Sequence, residues 1–246
     1  MRTFYAGLLI LSLLLGLNLK ITAEAATAVN ERNTQSTAIQ DLLPATTISV
    51  QHEKQQDALL KKETAEPVRK LPANYKTVTI EGEAKATEKQ AVAFVKKNTQ
   101  GTDMKFSAEE IVRYYYEESA KEGIRADLAL SQALLETGFF KFNGTVKAKQ
   151  NNFCGLGTVN KKVSGASFKK PIFGVRAHIQ HLLAYATPRK PKTKIIDPRY
   201  ELAAKIRKNQ GYVITWHALN GKWAMGKDYS EKIFDIRSKM LEMPNE

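Results

Sequence analysis

Glu136 is the residue of this sequence whose surroundings best suit acid–base chemistry. It lies between two apolar pairs, Leu134-Leu135 and Phe139-Phe140. A carboxyl among apolar side chains loses hydration of its charged form, which raises its pKa. Glu136 also falls at the end of a predicted helix, where the helix dipole disfavours negative charge. A carboxyl that keeps its proton near neutral pH can act as a general acid. The alternative is an ordinary surface glutamate with its side chain in water.

The loop at 151–157 carries uncharged polar groups close to glycines. Asn152 offers hydrogen-bond donors and acceptors without charge, and Gly155 permits a positive φ or a close backbone approach. With Phe153 between them, these residues suit binding of sugar hydroxyl and acetamido groups. Such loops are also common turns. We interpret Cys154 as a small buried apolar residue, because no base lies near it in the sequence.

Two aromatic residues near the C-terminus, Trp223 and Tyr229, complete the chemical inventory. Trp223 could stack on a sugar ring and Tyr229 could offer its hydroxyl; the alternative is that both pack in the core of a C-terminal helix. His178 and His181 lie three residues apart on one predicted helix, without the further ligands that a metal site needs. The sequence therefore predicts neither a metal site nor a cofactor.

Charge points to an anionic partner. The 246 residues include 38 Lys+Arg and 25 Asp+Glu, a net charge of +13, which favours nucleic acid, an anionic membrane surface or an anionic wall polymer. The interval 137–196 holds 12 Lys+Arg and no Asp or Glu. We expect it to form one side of a groove that receives an anionic substrate, the alternative being a solvated basic face. A single cysteine excludes an internal disulfide.

The N-terminus resembles an export signal. A basic start is followed by an apolar run at 5–17 and by Ala23-Glu24-Ala25, which fits a signal peptidase site. We predict a signal peptide over 1–25, the alternative being an uncleaved anchor. Because no cysteine lies at the cleavage region, lipoprotein anchoring is excluded. Export predicts an extracytoplasmic protein and argues against a nucleic-acid partner.

The rest of the chain divides by composition. Residues 26–82 contain few large apolar residues, which predicts a disordered spacer. Residues 83–246 predict a mainly α domain with one small β-hairpin around 158–168. Thr87 and Ser107 are expected helix caps, the latter in a capping box with Glu110. The expected helices are 88–95, 108–122, 126–137, 175–185, 199–208 and 229–241.

An ordered series of motifs resembles the glucosaminidase domain of glycoside hydrolase family 73, which includes secreted peptidoglycan hydrolases. Each motif alone is short, but their order along the chain is specific. The motifs are Gln132-Ala-Leu-Leu-Glu136-Thr137-Gly138-Phe139, Asn151-Asn152-Phe153-Cys154-Gly155-Leu156-Gly157, Ser167-Phe168, Gly174-Val175-Arg176, His181-Leu182-Leu183-Ala184-Tyr185-Ala186, Asp197-Pro198-Arg199-Tyr200, Lys222-Trp223-Ala224 and Tyr229.

The resemblance implies a lysozyme-like, α-rich fold with a groove between a helical lobe and a β-hairpin lobe. It implies an autolysin-type hydrolase that cuts the β-1,4 bond between N-acetylglucosamine and N-acetylmuramic acid. Glu136 corresponds to the family's general acid and Tyr229 to its functional tyrosine. The expected partners are peptidoglycan strands and anionic wall polymers, and the expected state is a monomer. The residues expected to bind substrate are Gln132, Asn152, Phe153, Gly155 and Trp223.

The sequence departs from the family pattern at one point. Some members carry a second carboxylate in the hairpin, whereas this chain has only lysines there. Asp228 or Glu231 could supply that acid; otherwise the acetamido group of the substrate attacks the anomeric carbon, as in substrate-assisted glycosidases. We favour substrate assistance, with Tyr229 hydrogen-bonding the acetamido group.

Two rival functions remain at this point. A lytic transglycosylase also uses a single Glu at a helix end, but such enzymes usually carry a Gly-Leu-Met-Gln loop where this chain has Gly155-Leu156-Gly157-Thr158. A noncatalytic wall-binding module would keep the groove and use its charge for retention. The presence of both Glu136 and Tyr229 argues against that module.

Overall fold

The computed structural model describes residues 71–102, 104–158 and 165–245. The predicted signal peptide at 1–25 and the predicted spacer up to residue 70 lie outside the described residues and remain predictions.

The described residues are mainly helical, which confirms the predicted fold class. They form six α-helices and three short 3₁₀ turns, and no strand; extended pairing within them is limited to isolated bridges such as Thr79 with Thr215. None of the described helices is long and apolar enough to cross a membrane. The helices are α1 (Glu88–Asn98), α2 (Ala108–Glu122), α3 (Ala126–Thr137), α4 (Pro171–Ala186), α5 (Tyr200–Gln210) and α6 (Tyr229–Leu241).

Local sequence signals set the ends of the first three helices. The hydroxyls of Thr87 and Ser107 accept hydrogen bonds from the backbone three residues on, and Gln90 and Glu110 return the bond, so both helix starts are capping boxes. Helix α2 ends at Gly123, whose φ of 69° is a left-handed conformation that favours glycine. These predicted boundaries are confirmed.

Helix α3 forms the centre of the core. Every residue from 126 to 134 is buried, including the polar Asp127, Ser131 and Gln132, whose side chains are hydrogen-bonded. It packs against α2 and α6, while α4 packs against α2 and α5, and α1 against α2 and α6. Because α3 ends at Thr137, the last turn of this central helix carries Glu136 out of the core.

The segment before α1 belongs to the packed structure. Ile80 is completely buried; its N–H donates to the carbonyl of Ile214 (2.8 Å) and its carbonyl accepts from the N–H of Arg125 (3.1 Å). Leu71 also packs against the core. Residues 71–82, which the sequence assigns to the spacer, are therefore ordered. The local composition is polar, but a few apolar residues are enough to order this segment because they pack against the core formed by the helices.

The predicted hairpin falls largely on residues 159–164, outside the described residues. On its two sides, Ala166 N–H donates to the carbonyl of Leu156 (2.7 Å) and Phe168 N–H to that of Gln150 (2.8 Å). The chain at 165–168 thus runs back alongside the loop at 150–156 and closes it.

Gly174 fixes the distance between α4 and the loop that begins at Asn151. A Cβ placed on Gly174 would lie 1.7 Å from the carbonyl oxygen of Asn151 and 3.2 Å from the ring of Phe153. Because the first of these is a backbone atom, a side chain at 174 cannot be accommodated by a rotamer change. The glycine is required here for close approach of two backbones.

We expect Gly174→Ala to reduce the free energy of unfolding by about 3 kcal/mol, because overpacking must displace the 151–153 backbone. Gly144→Ala is the matched control, since a Cβ there meets no atom within 4 Å. Urea denaturation of both variants measures the difference. Equal stability of the two variants would show that the close approach is not rigid.

Candidate active site

An unusual turn follows Glu136. Gly138, Phe139 and Phe140 have φ values of 59°, 57° and 58°, a left-handed run that costs free energy for residues other than glycine. Thr137 holds the turn: its hydroxyl donates to the carbonyl of Ala133 (2.7 Å) and accepts from the N–H of Phe140 (3.0 Å). The helix therefore ends sharply one residue beyond Glu136.

A cluster of aromatic rings offsets the strain of this turn. The ring of Phe153 meets the rings of Phe106, Phe140 and Phe142 at centroid distances of 5.5, 5.9 and 6.2 Å. Burial of rings at these distances is strongly stabilising. Phe153 is completely buried. Its place is under the groove as an anchor, whereas we expected it to bind substrate.

A groove of about 420 Å³ opens at Glu136. Three of the other expected substrate-binding residues line it, namely Asn152, Gly155 and Trp223; Gln132 does not. Asn152 uses its amide to brace the loop, since it binds the backbone of Leu156 and Ala166. The described lining residues are Glu136, Thr137, Gly138, Phe142, Asn143, Gly144, Thr145, Val146, Asn152, Cys154, Gly155, Thr158, Trp223 and Ala224.

The carboxyl of Glu136 combines access with desolvation. The residue is exposed, so that substrate in the groove can reach it. The groove walls nevertheless surround the carboxyl, and this desolvation raises its pKa. Hydrogen bonds from the side chains of Tyr229 and Trp223 act in the opposite direction, because they favour the ionised form, but desolvation is the largest effect.

Glu136 is the end of a chain of buried hydrogen bonds. The Tyr229 hydroxyl donates to Glu136 Oε1 and accepts from Gln132 Nε2 (2.8 Å). Gln132 Oε1 lies 3.0 Å from His178 Nε2, and His178 Nδ1 lies 2.9 Å from the hydroxyl of Tyr115. Gln132 and Tyr229 therefore lie below the groove and connect to it through the hydrogen bond of Tyr229 to Glu136.

His178 is the member of this chain whose role the sequence did not reveal. Burial is the main cause that lowers its pKa to about 3, so the imidazole is neutral at neutral pH. We expected a packing or surface residue, and its ring does contact Trp223 at 5.8 Å. A polar residue on the apolar side of α4 was the available signal, but the sequence does not show which partner it meets.

Trp223 forms the wall of the groove opposite the strained turn. Its ring contacts those of His181 and Tyr185 at 5.2 and 5.8 Å. His181 is itself fixed, because its Nδ1 donates to the buried carboxylate of Asp197 at 2.7 Å. The indole is thus held in one orientation, partly buried and partly open to the groove.

The two alternative acids lie elsewhere. Glu231 accepts hydrogen bonds from Tyr75, Asn220 and Ser230, and Asp228 lies 3.2 Å from the ammonium of Lys232. Neither lines the groove. Helix geometry explains this, because residues adjacent to Tyr229 or two positions beyond it point to other sides of α6.

The interval 137–196 supplies much of the groove, but the described part of the groove lining carries none of its basic residues. No lysine or arginine is among the described lining residues. Arg176 pairs with the buried Glu118 (2.7 Å), and Arg189 with Glu122 and Glu81 (3.5 and 3.1 Å). Among the described residues, these arginines neutralise carboxylates that precede the interval, and the lysines of the interval are exposed. Lys161 and Lys162 lie outside the described residues, so for them the basic groove wall stays a prediction.

Comparison with known proteins now adds to this geometry. The glucosaminidase family model, described as mannosyl-glycoprotein endo-beta-N-acetylglucosaminidase, matches residues 112–242. A Borreliella burgdorferi protein described only as uncharacterized is 41% identical over 135 residues. The match covers 55% of this chain and 64% of that relative, less than two thirds of its length. No solved structure matches.

The family match includes the groove as well as its supports. Residues 112–242 contain Glu136, Trp223 and Tyr229, together with the helices that position them. The chain belongs to the glucosaminidase family.

Proposed function

We propose that this protein is a secreted, endo-acting β-N-acetylglucosaminidase that hydrolyses the β-1,4 bond between N-acetylglucosamine and N-acetylmuramic acid in peptidoglycan. The observation that carries the proposal is the carboxyl of Glu136, which is open to a groove, has a raised pKa and is held by the buried Tyr229. Family membership supports the glycan substrate.

Glu136 acts as the general acid in this proposal. Its proton moves to the glycosidic oxygen while the bond from that oxygen to C1 of N-acetylglucosamine breaks. The acetamido oxygen of the same sugar forms a bond to C1, which gives an oxazolinium ion. Water then adds to C1, the acetamide re-forms, and the Glu136 carboxylate takes the proton that the water loses.

Substrate assistance is supported by the carboxylates of the groove. Among its described lining residues, Glu136 is the one Asp or Glu. Residues 159–164 cannot provide a second one, because the interval 137–196 contains no acidic residue. The mechanism with two carboxylates would therefore need an acid from outside the groove, whereas the acetamido group arrives with the substrate.

Tyr229 has a different place from the one we expected. We expected its hydroxyl to bind the acetamido group, but that hydroxyl is engaged by Glu136 and Gln132 and the residue is buried. We therefore assign it a positioning role: it holds the acid and stabilises its ionised form after proton transfer.

Secretion remains a proposal based on the predicted signal peptide. Peptidoglycan lies outside the cytoplasmic membrane, so a protein with this substrate acts there, in the wall or periplasm. Anionic wall polymers are proposed partners of the exposed lysines.

The first prediction concerns the acid. Glu136→Gln should keep the fold and lower the rate of peptidoglycan hydrolysis by about 100-fold or more, because it removes the transferable proton. The control is Glu117→Gln, an exposed carboxylate on α2. Release of reducing N-acetylglucosamine ends, measured by mass spectrometry, reports the rate. Near-normal release by Glu136→Gln would contradict the assignment.

The same spectra separate the rival functions. A lytic transglycosylase leaves 1,6-anhydro ends, and a noncatalytic wall-binding module releases no fragments.

The second prediction concerns stereochemistry. Substrate assistance places the acetamido oxygen on one face of C1 and water later on the opposite face of the oxazolinium, so two inversions retain the β configuration. Proton NMR of the first-formed reducing sugar should show the β anomer. An initial α anomer would exclude the substrate-assisted mechanism but would leave Glu136 as the acid.

The third prediction concerns pH. The hydrogen bond from Tyr229 stabilises the ionised carboxylate and so lowers the pKa of Glu136; its loss in Tyr229→Phe raises that pKa. Because the acid must be protonated, activity is lost as pH rises through the pKa. The alkaline limb of kcat/KM should therefore move to higher pH in Tyr229→Phe.

Tyr212→Phe serves as the control for this profile, because Tyr212 is exposed on the surface. This substitution should leave the alkaline limb of kcat/KM unchanged. A limb that stays fixed or moves to lower pH in Tyr229→Phe would show that Tyr229 does not act on Glu136.

A further inference from the structure

A second, smaller cavity opens beside the groove. It has a volume of about 180 Å³. Trp223, Cys154, Gly155 and Thr158 line both spaces, so the side cavity lies next to the groove. Beyond these shared residues, this side cavity is lined by His181, Tyr185 and Arg199.

Arg199 brings to the side cavity a positive charge that has no ion-pair partner in the described part of the chain. Among the described residues, no carboxylate forms an ion pair with its guanidinium, in contrast to Arg176 and Arg189, which are both paired. The residue is partly exposed. A guanidinium on a concave wall is suited to bidentate binding of a carboxylate.

The groups around Arg199 also suit the binding of a carboxylate. Asp197 accepts from His181 Nδ1 (2.7 Å) and from the backbone N–H of Arg199 (2.8 Å). That carboxylate is buried and already engaged by these donors, which leaves Nε2 of His181 for the cavity. The hydroxyl of Tyr185 makes no hydrogen bond within the part of the chain that the structure describes. No carboxylate is among the described lining residues.

Resting on the proposed function, we propose that the side cavity binds a carboxylate on the branch of the N-acetylmuramic acid residue next to the scissile bond. That branch leaves the sugar at O3, adjacent to the scissile O4, so it projects sideways from a glycan that lies in the groove. Its carboxylate is the lactyl group in glycan without stem peptides, and the first free carboxylate of the stem in intact peptidoglycan. Arg199 binds this group, while His181 and Tyr185 supply further hydrogen bonds.

The test measures binding without cleavage, in the full chain with Glu136→Gln. The probe is a tetrasaccharide of alternating N-acetylglucosamine and N-acetylmuramic acid with free lactyl carboxylates, compared with the same sugar as its methylamide. Calorimetry should give about tenfold tighter binding of the free acid, the size of one charge-assisted interaction at a partly exposed site.

Substitutions at position 199 assign the preference. Arg199→Gln should abolish it, and Arg199→Lys should keep part of it, because the charge remains but the planar fork is lost. Lys205→Gln is the matched control, since it removes one exposed charge from α5, the helix that follows Arg199, and should leave the preference intact.

A third probe identifies the source of the carboxylate. It is the tetrasaccharide with L-Ala–D-Glu on each lactyl group. If the cavity binds the stem carboxylate, this probe should bind more tightly than the methylamide, and Arg199→Gln should remove the difference. If only the free acid binds more tightly than the methylamide, the carboxylate is that of the lactyl group.

Equal affinities for acid, dipeptide and methylamide, no measurable binding, or a preference unchanged by Arg199→Gln would overturn the inference. The proposed function is judged separately, by release of reducing N-acetylglucosamine from peptidoglycan by the unmodified protein.

Discussion

The site depends on one continuous chain of hydrogen bonds that crosses four helices. Tyr115 of α2, His178 of α4 and Gln132 of α3 lead through Tyr229 of α6 to Glu136. Each of the four members before Glu136 is buried, and a buried polar group that loses its partner costs about 1–3 kcal/mol. The helices cannot shift relative to one another without breaking this chain, so the position of the acid is a property of the whole bundle.

Apolar packing holds the parts of the groove that the chain of hydrogen bonds does not reach. The left-handed turn after Glu136 is unfavourable by itself and persists because Phe140 and Phe153 pack against each other beneath it. Gly174 lets α4 approach the backbone of Asn151, which places the other side of the groove. The groove is therefore framed by two loops, and each is held by rigid elements below it, as a preorganised site requires.

Local sequence patterns predicted the helices well. The features that the sequence did not predict depend on contacts between residues far apart in the chain. The capping box at Ser107 and the exit at Gly123 depend on neighbours in sequence, so they could be read directly. Glu136 could be found because its apolar flanks are local too. The place of Phe153 under the groove, the engagement of Glu231 by Tyr75 and the burial of Ile80 all depend on residues far along the chain.

The charge distribution of the folded protein also depends on contacts between residues far apart in the sequence. The interval 137–196 holds 12 basic and no acidic residues. In the folded protein, however, acidic residues from another part of the sequence lie beside some of these basic residues. Glu118 and Glu122 of α2 neutralise Arg176 and Arg189. Among the cations of the motif series, Arg199 is the one that a cavity exposes, and composition alone does not distinguish it from the rest.

The hydrogen-bond chain also has a direction. Each group can donate once and accept once along it, so two orientations exist. If the donors ran away from Glu136, the hydroxyl proton of Tyr115 would be left without a partner among the described residues; running toward Glu136, that hydroxyl donates to His178 and each later member donates to the next. The hydrogen bonds are therefore polarised toward Glu136, and its Oε1 receives a proton donor from the buried Tyr229. In the proposed mechanism, this buried phenol therefore holds one oxygen of the carboxyl as a hydrogen-bond acceptor on the core side of the groove.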